Sequence, residues 1–184
     1  MKVIKAKTAG FCFGVKRAVD TVYKQVDTKC GQIYTYGPII HNEEVIKDMR
    51  DKGVIVLRSE EDLDMISQGT VIIRSHGVEK RIYEKIEQKG LRIVDATCPF
   101  VKKIHNIVSE KSGEGFHIII IGNLEHPEVV GIKGWAKDNV TVIQSAEDAE
   151  CFTADRKEKI CIVSQTTFNY NKFKDLVEII MKKS

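Results

Sequence analysis

The sequence predicts an α/β protein made of two tandem units with parallel sheets. Three observations lead there: short apolar runs alternate with helical stretches, a glycine or a helix cap follows each run, and the first half of the chain lays over the second. Parallel strands need long crossovers, and helices supply them, so this alternation means parallel α/β layers.

The repeat is the firmest of the three. Cys12-x-x-Val15-Lys16-Arg17 matches Cys98-x-x-Val101-Lys102-Lys103, 98 − 12 = 86 residues on. Gly37 to Val45 matches Gly122 to Val130 as G-x-x-x-H-x-E-x-V, "VIVLRSEED" matches "VTVIQSAED", and Ser75 faces Ser164, 164 − 75 = 89 residues on. Any two α/β halves share apolar runs; Cys, His and Glu in register need duplication. The units are therefore expected at residues 1–90 and 91–184.

Within each unit the elements follow in order. A first strand, Val3 to Ala6 or Leu91 to Val94, runs into the cysteine. A helix follows, with Val15, Ala18, Val19 and Val22 at helical spacing in one copy and Val101, Ile104 and Val108 in the other. A second strand, Gln32 to Tyr36 or Ile118 to Ile121, ends at the glycine before the histidine. Next comes a short helix, marked by Pro127 at its start and by first-turn acids in Asn42 to Arg50. A third strand, a turn capped by Ser59 or Ser145 with Asp62 or Asp148 three residues on, and a fourth strand complete the unit.

Composition narrows the class. With 42% apolar and 30% charged residues the chain is an ordinary globular one, and its formal charge of +3 is spread over helical stretches, so no nucleic-acid partner is expected. No run of the roughly 20 apolar residues needed for a membrane span occurs, nor a secretory leader, so a cytoplasmic location and no membrane partner are expected. The five cysteines contain no C-x-x-C, which leaves a zinc ribbon or a thioredoxin-like pair unsupported.

The chemistry-bearing residues gather just after strands, where open α/β sheets bind ligands. Cys12 and Cys98 sit at strand-to-helix junctions, and helix N-termini favour thiolate and phosphate alike. Cys30, Cys151 and Cys161 have no counterpart in the other copy and read as structural. His41, His76 and His126 each end a strand beside a glycine or a helix start, suited to an anion. His105 and His117 read as core or solvent residues. Glu128 and its equivalent Glu43 are first-turn acids. Two thiolates make an incomplete metal site, since a cluster open to substrate needs three. A third copy would supply the missing one, and one more repeat length from Cys98 falls at residue 184, where the sequence is expected to stop short of that copy. The same residues also allow a zinc site of two cysteines and two histidines, a cysteine hydrolase with His126 as base, or a non-catalytic, anion-binding two-unit fragment.

The segments "AGFCFGVKRAVD", "YGPIIHNEEV", "RSHGV", "VDATCPFV", "GNLEHPEVVGIKGW" and "SQTT" together closely resemble the LytB family of 4-hydroxy-3-methylbut-2-enyl diphosphate reductases. The resemblance implies a pseudo-threefold (trefoil) architecture of three α/β units around a 4Fe-4S cluster, each giving one cysteine, of which this chain is expected to carry the first two units. Here Cys12 and Cys98 would be two ligands, His41, His76 and His126 would hold the substrate diphosphate, Glu128 would relay protons, and Thr166 would hydrogen-bond near the substrate hydroxyl and Glu128. It further implies an allylic diphosphate substrate, isopentenyl and dimethylallyl diphosphate as products, and ferredoxin or flavodoxin as electron donor.

Overall fold

Strands and helices alternate throughout the chain, of which the computed structural model describes residues 2–28, 31–153 and 157–183. Helix α1 (Phe13–Thr28) is followed by β1 (Ile33–Tyr36), α2 (Glu43–Asp51), β2 (Ile55–Leu57), α3 (Glu60–Asp64), β3 (Thr70–Ile73), α4 (Lys80–Gln88) and β4 (Arg92–Asp95). Then come α5 (Pro99–Gly113), β5 (His117–Ile121), α6 (Pro127–Lys133), β6 (Val140–Ile143), α7 (Ala146–Cys151), β7 (Ile160–Ser164) and α8 (Tyr170–Met181). Among the described residues no helix is long and apolar enough to cross a membrane.

All strand pairs are parallel, in two sheets of order β2-β1-β3-β4 and β6-β5-β7. The duplication shows in shared hydrogen bonds. Gly37 N–H donates to Leu57 O at the end of β2, and Gly122 N–H donates to Ile143 O at the end of β6. Ser59 Oγ accepts from Asp62 N–H at the start of α3, and Ser145 Oγ accepts from Asp148 N–H at the start of α7, the caps expected from the sequence.

The compact units do not follow the 90/91 seam. One comprises the chain up to Ser75 together with Leu91–Cys98; the other comprises His76–Gly90 and Pro99–Ser184. The cause is β4, which lies parallel to β3 with Val71 opposite Ile93 and Ile73 opposite Asp95, so the strand that opens the second repeat completes the first sheet. Helix α4 belongs to the second unit, where Lys80 N–H donates to Gly134 O and Trp135 Nε1–H donates to Val78 O. The expected strand at Val3 to Ala6 is absent: these residues take no strand assignment, and Val3 is 81% and Ile4 79% exposed. An extended segment without a neighbouring strand has no ladder to join.

The core of the first unit sets Ala18, Val19 and Val22 of α1 against Ile33, Met49, Ile72 and Ala96. In the second, β5 is buried on both faces, as central parallel strands are. Ile119 and Ile121 pack with Ala149, Leu176 and Ile180, while Ile118 and Ile120 pack with Val108, Val129 and Ile132. This is the two-residue alternation of a strand, and each fully buried isoleucine contributes about 1.5–3 kcal/mol of transfer free energy.

Candidate functional site

In the first unit the two cysteines begin helices. Cys12 immediately precedes α1, and its carbonyl accepts from Lys16 N–H at 2.9 Å, the opening bond of that helix. Cys98 immediately precedes α5, whose first residue is Pro99, a position where proline's missing N–H costs nothing. The approach to Cys98 is tied down at three points. Its own N–H donates to Ser75 O at 2.9 Å, Asp95 Oδ1 accepts from Thr97 N–H at 2.9 Å, and Arg17 donates to Thr97 O at 2.8 Å and to Asp95 O at 3.3 Å.

Gly14 brings this loop against α1. A Cβ at that position would stand 2.6 Å from Cys98 Sγ, so only a glycine in the first turn of α1 leaves room for the sulfur two residues from Cys12. Both thiols are free; Cys12 is exposed and Cys98 half-buried, and neither enters the apolar core. A groove of about 690 Å³ lined by Gly10, Phe11, Cys12, Lys16 and Asp20 opens beside Cys12. Disulfide-free thiols at helix starts, one exposed and one half-buried, with Gly14 leaving room for the Cys98 sulfur, suit a soft metal group that binds thiolate. Among the described residues no three or more His, Cys, Asp or Glu side chains gather as a metal site. His41 is also in this unit, exposed, one residue before Asn42, whose side chain caps α2 by accepting from Val45 N–H.

The second unit gathers His76, His126, Glu128 and Thr166. The His76 and His126 rings meet edge to face, with centroids 5.5 Å apart. His126 is the N-cap of α6, and its Nδ1 accepts from Glu128 N–H at 3.1 Å. That nitrogen is therefore bare, which puts the ring proton on Nε2 and leaves Nε2–H as a donor. Glu128 is 2% exposed, and Thr166 satisfies both of its oxygens: Thr166 N–H donates to Oε1 at 2.6 Å and Thr166 Oγ1–H donates to Oε2 at 2.8 Å. Its repeat counterpart Glu43 is exposed, so the two copies have diverged in use.

Two positioning residues escaped the sequence reading. Buried Gln165 accepts from Asn123 N–H at 3.2 Å through Oε1 and donates to Thr167 Oγ1 at 2.8 Å, fastening the loop after β5 to the loop after β7. Arg17 matched as a member of the repeat, but its grip on the carbonyls before Cys98 spans 80 residues of sequence and leaves no local signal. The remaining histidines are built into the fold: His117 bonds Glu158 at 3.0 Å and Thr141 at 2.8 Å, and His105 stacks on Trp135. Cys161 is half-buried in strand β7 and burial raises its thiol pKa; Cys151 ends α7, exposed. Cys30 lies outside the described residues.

Comparison with known proteins agrees with this arrangement. The family described as LytB protein matches residues 3–184. A 4-hydroxy-3-methylbut-2-enyl diphosphate reductase of Thermoanaerobacter sp. (strain X514) is 48% identical over all of this chain and 63% of its own length. One from Caldanaerobacter subterraneus subsp. tengcongensis is 45% identical, with 64% of its length covered. Among solved structures, the E-1-hydroxy-2-methyl-but-2-enyl-4-diphosphate reductase of Plasmodium falciparum superposes with a TM-score of 0.89 at 30% identity, over 96% of this chain and 55% of that one. A second, titled (E)-4-hydroxy-3-methyl-but-2-enyl diphosphate reductase, gives 0.83 at 38% identity, over 98% of this chain and 64% of that one. This chain thus spans about 64% of the length of the curated relatives it matches. Matched over residues 3–184, the chain belongs to the LytB protein family.

Proposed function

We propose that this chain forms two thirds of a reductase that removes the allylic hydroxyl of 4-hydroxy-3-methylbut-2-enyl diphosphate, giving isopentenyl and dimethylallyl diphosphate for isoprenoid synthesis. The observation that carries the reading is the buried Glu128 carboxylate, held through both oxygens by Thr166 and joined at its backbone to the ring of His126. A buried acid costs several kcal/mol to keep without a role or partners, and here its partner is a hydroxyl that both donates and accepts.

The net reaction takes up two electrons and two protons, breaks the carbon–oxygen bond, and releases the oxygen as water. Cys12 and Cys98 would hold a 4Fe-4S cluster as two of its thiolate ligands, with the third cysteine supplied from outside this chain. When bound, such a cluster supplies a Lewis-acidic iron and the route for electrons delivered by a ferredoxin or flavodoxin. The other steps fall to side chains. His41, His76 and His126 bind the diphosphate through ring N–H donors, for which His126 already presents Nε2–H. Glu128 holds a proton for the departing oxygen, and Thr166 hands it on through Oγ1.

The test is anaerobic reconstitution with iron and sulfide in a polypeptide carrying all three units. Glu128→Gln, which preserves the acceptor for Thr166 N–H, should retain iron and substrate binding and lose turnover by about 10²–10⁴-fold; undiminished turnover removes Glu128 from its role. Cys98→Ser should abolish stable iron binding, and full iron content in that variant would contradict the ligand assignment.

A further inference from the structure

The first unit holds a second cavity, of about 630 Å³, a size suited to a small molecule. It opens where three neighbouring parallel strands reach their carboxyl ends, the place where such sheets bind ligands. Gly37 and Pro38 follow β1, Arg58 follows β2 and Arg74 follows β3, while Lys47 and Arg50 come from α2. Cys12, Cys98 and His41, the residues of this unit assigned to the reaction, do not line it. Four cations, Lys47, Arg50, Arg58 and Arg74, face two carboxylates, Glu43 and Asp51. Asp51 is taken by Lys47 at 3.4 Å. Among the described residues the side chains of Arg50 and Arg58 make neither an ion pair nor a hydrogen bond. Arg74 is half-buried, and burial lowers its pKa. Its side chain runs along Gly37, where φ is +73° and an added Cβ would stand 2.5 Å from Arg74 Nη1.

The repeat separates these arginines from the scaffold. The counterparts of Arg50, Arg58 and Arg74 are Trp135, Gln144 and Val163, at 135 − 50 = 85, 144 − 58 = 86 and 163 − 74 = 89 residues on, and none is charged. Gln144 instead fastens the matching loop of the second sheet, its Oε1 accepting from Leu124 N–H at 2.8 Å. The first unit therefore carries three guanidinium groups at a strand-end rim that its twin builds without any.

We propose that this cavity is a second anion site, which takes the phosphate or diphosphate group of a small ester. Guanidinium forks match phosphoryl oxygens two at a time, and Arg50, Arg58 and Arg74 supply the forks. Pro38, Ile46 and Val56 form an apolar wall for the body of the molecule. The site shares no residue with the cysteines, histidines or Glu128, so it stands apart from the reductase chemistry.

The test needs neither iron nor turnover. Inorganic diphosphate and isopentenyl diphosphate are titrated separately into the full chain at constant ionic strength, and the backbone amide NMR signals of Gly37 and Arg58 are followed. Both probes should shift these signals saturably, the ester binding several-fold more tightly because its hydrocarbon body leaves water. Replacing two exposed side chains together, Arg50→Gln with Arg58→Gln, should weaken both probes by about tenfold or more. Lys172→Gln with Lys174→Gln removes the same charge from exposed positions on α8 and should leave the affinity unchanged. His126→Ala takes a donor from the other anion site and should leave the shifts at Gly37 and Arg58 in place. Parental affinity in the folded arginine variant, equal weakening by the α8 pair, or loss of the shifts in His126→Ala each overturns the proposal. So does diphosphate binding no tighter than acetate, and equal affinity for the two diphosphates overturns the assignment to an ester.

Discussion

Replacing Gly14 by alanine tests whether the two thiols share one rim. In an unhindered helix the change raises stability by about 1 kcal/mol, because glycine loses more backbone entropy on folding. Here the added Cβ meets Cys98 Sγ at 2.6 Å and Cys98 Cβ at 3.2 Å, whereas non-bonded heavy atoms rest at about 3.5–4.0 Å. Rotation about the Cys98 side chain relieves the first contact by moving the sulfur about 1 Å or more outward. It does not relieve the second, which needs backbone movement in a loop pinned by Ser75 and Arg17. Overpacking of this kind costs about 1–3 kcal/mol, so Gly14→Ala should be destabilising by about 0–2 kcal/mol after the helical gain. Urea unfolding measures that sign. Alkylation of Cys98, followed by peptide mass mapping, measures the displacement as a faster rate. A variant more stable than the parent by about 1 kcal/mol, with Cys98 labelled at the parental rate, would show that the sulfur does not lie against Gly14.

Two more outcomes follow from perturbed side chains. Burial raises the Cys161 thiol pKa, so less thiolate is present at neutral pH and iodoacetamide should modify exposed Cys12 well before Cys161, with the gap narrowing as pH rises; equal rates at neutral pH would contradict this. Asp48 is held below the usual carboxylate range by its bonds to Lys52 and to Tyr23, whose hydroxyl donates at 2.6 Å. A depressed folded pKa stabilises above the unfolded value and is lost as pH falls through the folded one. The urea midpoint of Asp48→Asn should therefore lie below that of the parent at neutral pH and converge with it on acidification; a difference that widens in acid would refute the linkage.

What the sequence revealed was whatever local chemistry repeats. Ser59 and Ser145 announce helix starts because a hydroxyl three residues before an Asp has one good use there. Gly37 and Gly122 announce strand ends, and both donate to the neighbouring strand in the same way. Helices α4 and α8 lie outside the repeat pattern, which ends each unit at its fourth strand, although Ile82 and Ile86, and Leu176 and Ile180, stand at helical spacing. The partnership of β4 with β3 was not legible at all: a short apolar run carries no mark of which sheet it will join. Likewise the burial of Glu128, against the exposure of Glu43, depends on Thr166, 38 residues away.

The borrowed strand separates the unit that was duplicated from the unit that folds. A gene cut at the repeat seam yields one piece lacking the outer strand of its own sheet and its second sulfur, and another beginning with a strand whose partner has left, stripped of His76 and of α4. Chimaeras between relatives meet the same difficulty: a crossover after residue 98 keeps each sheet in a single parent, whereas one at 90 pairs strands from two. Interleaving of this kind makes the copies hard to shuffle and gives each a stake in the correct assembly of the next.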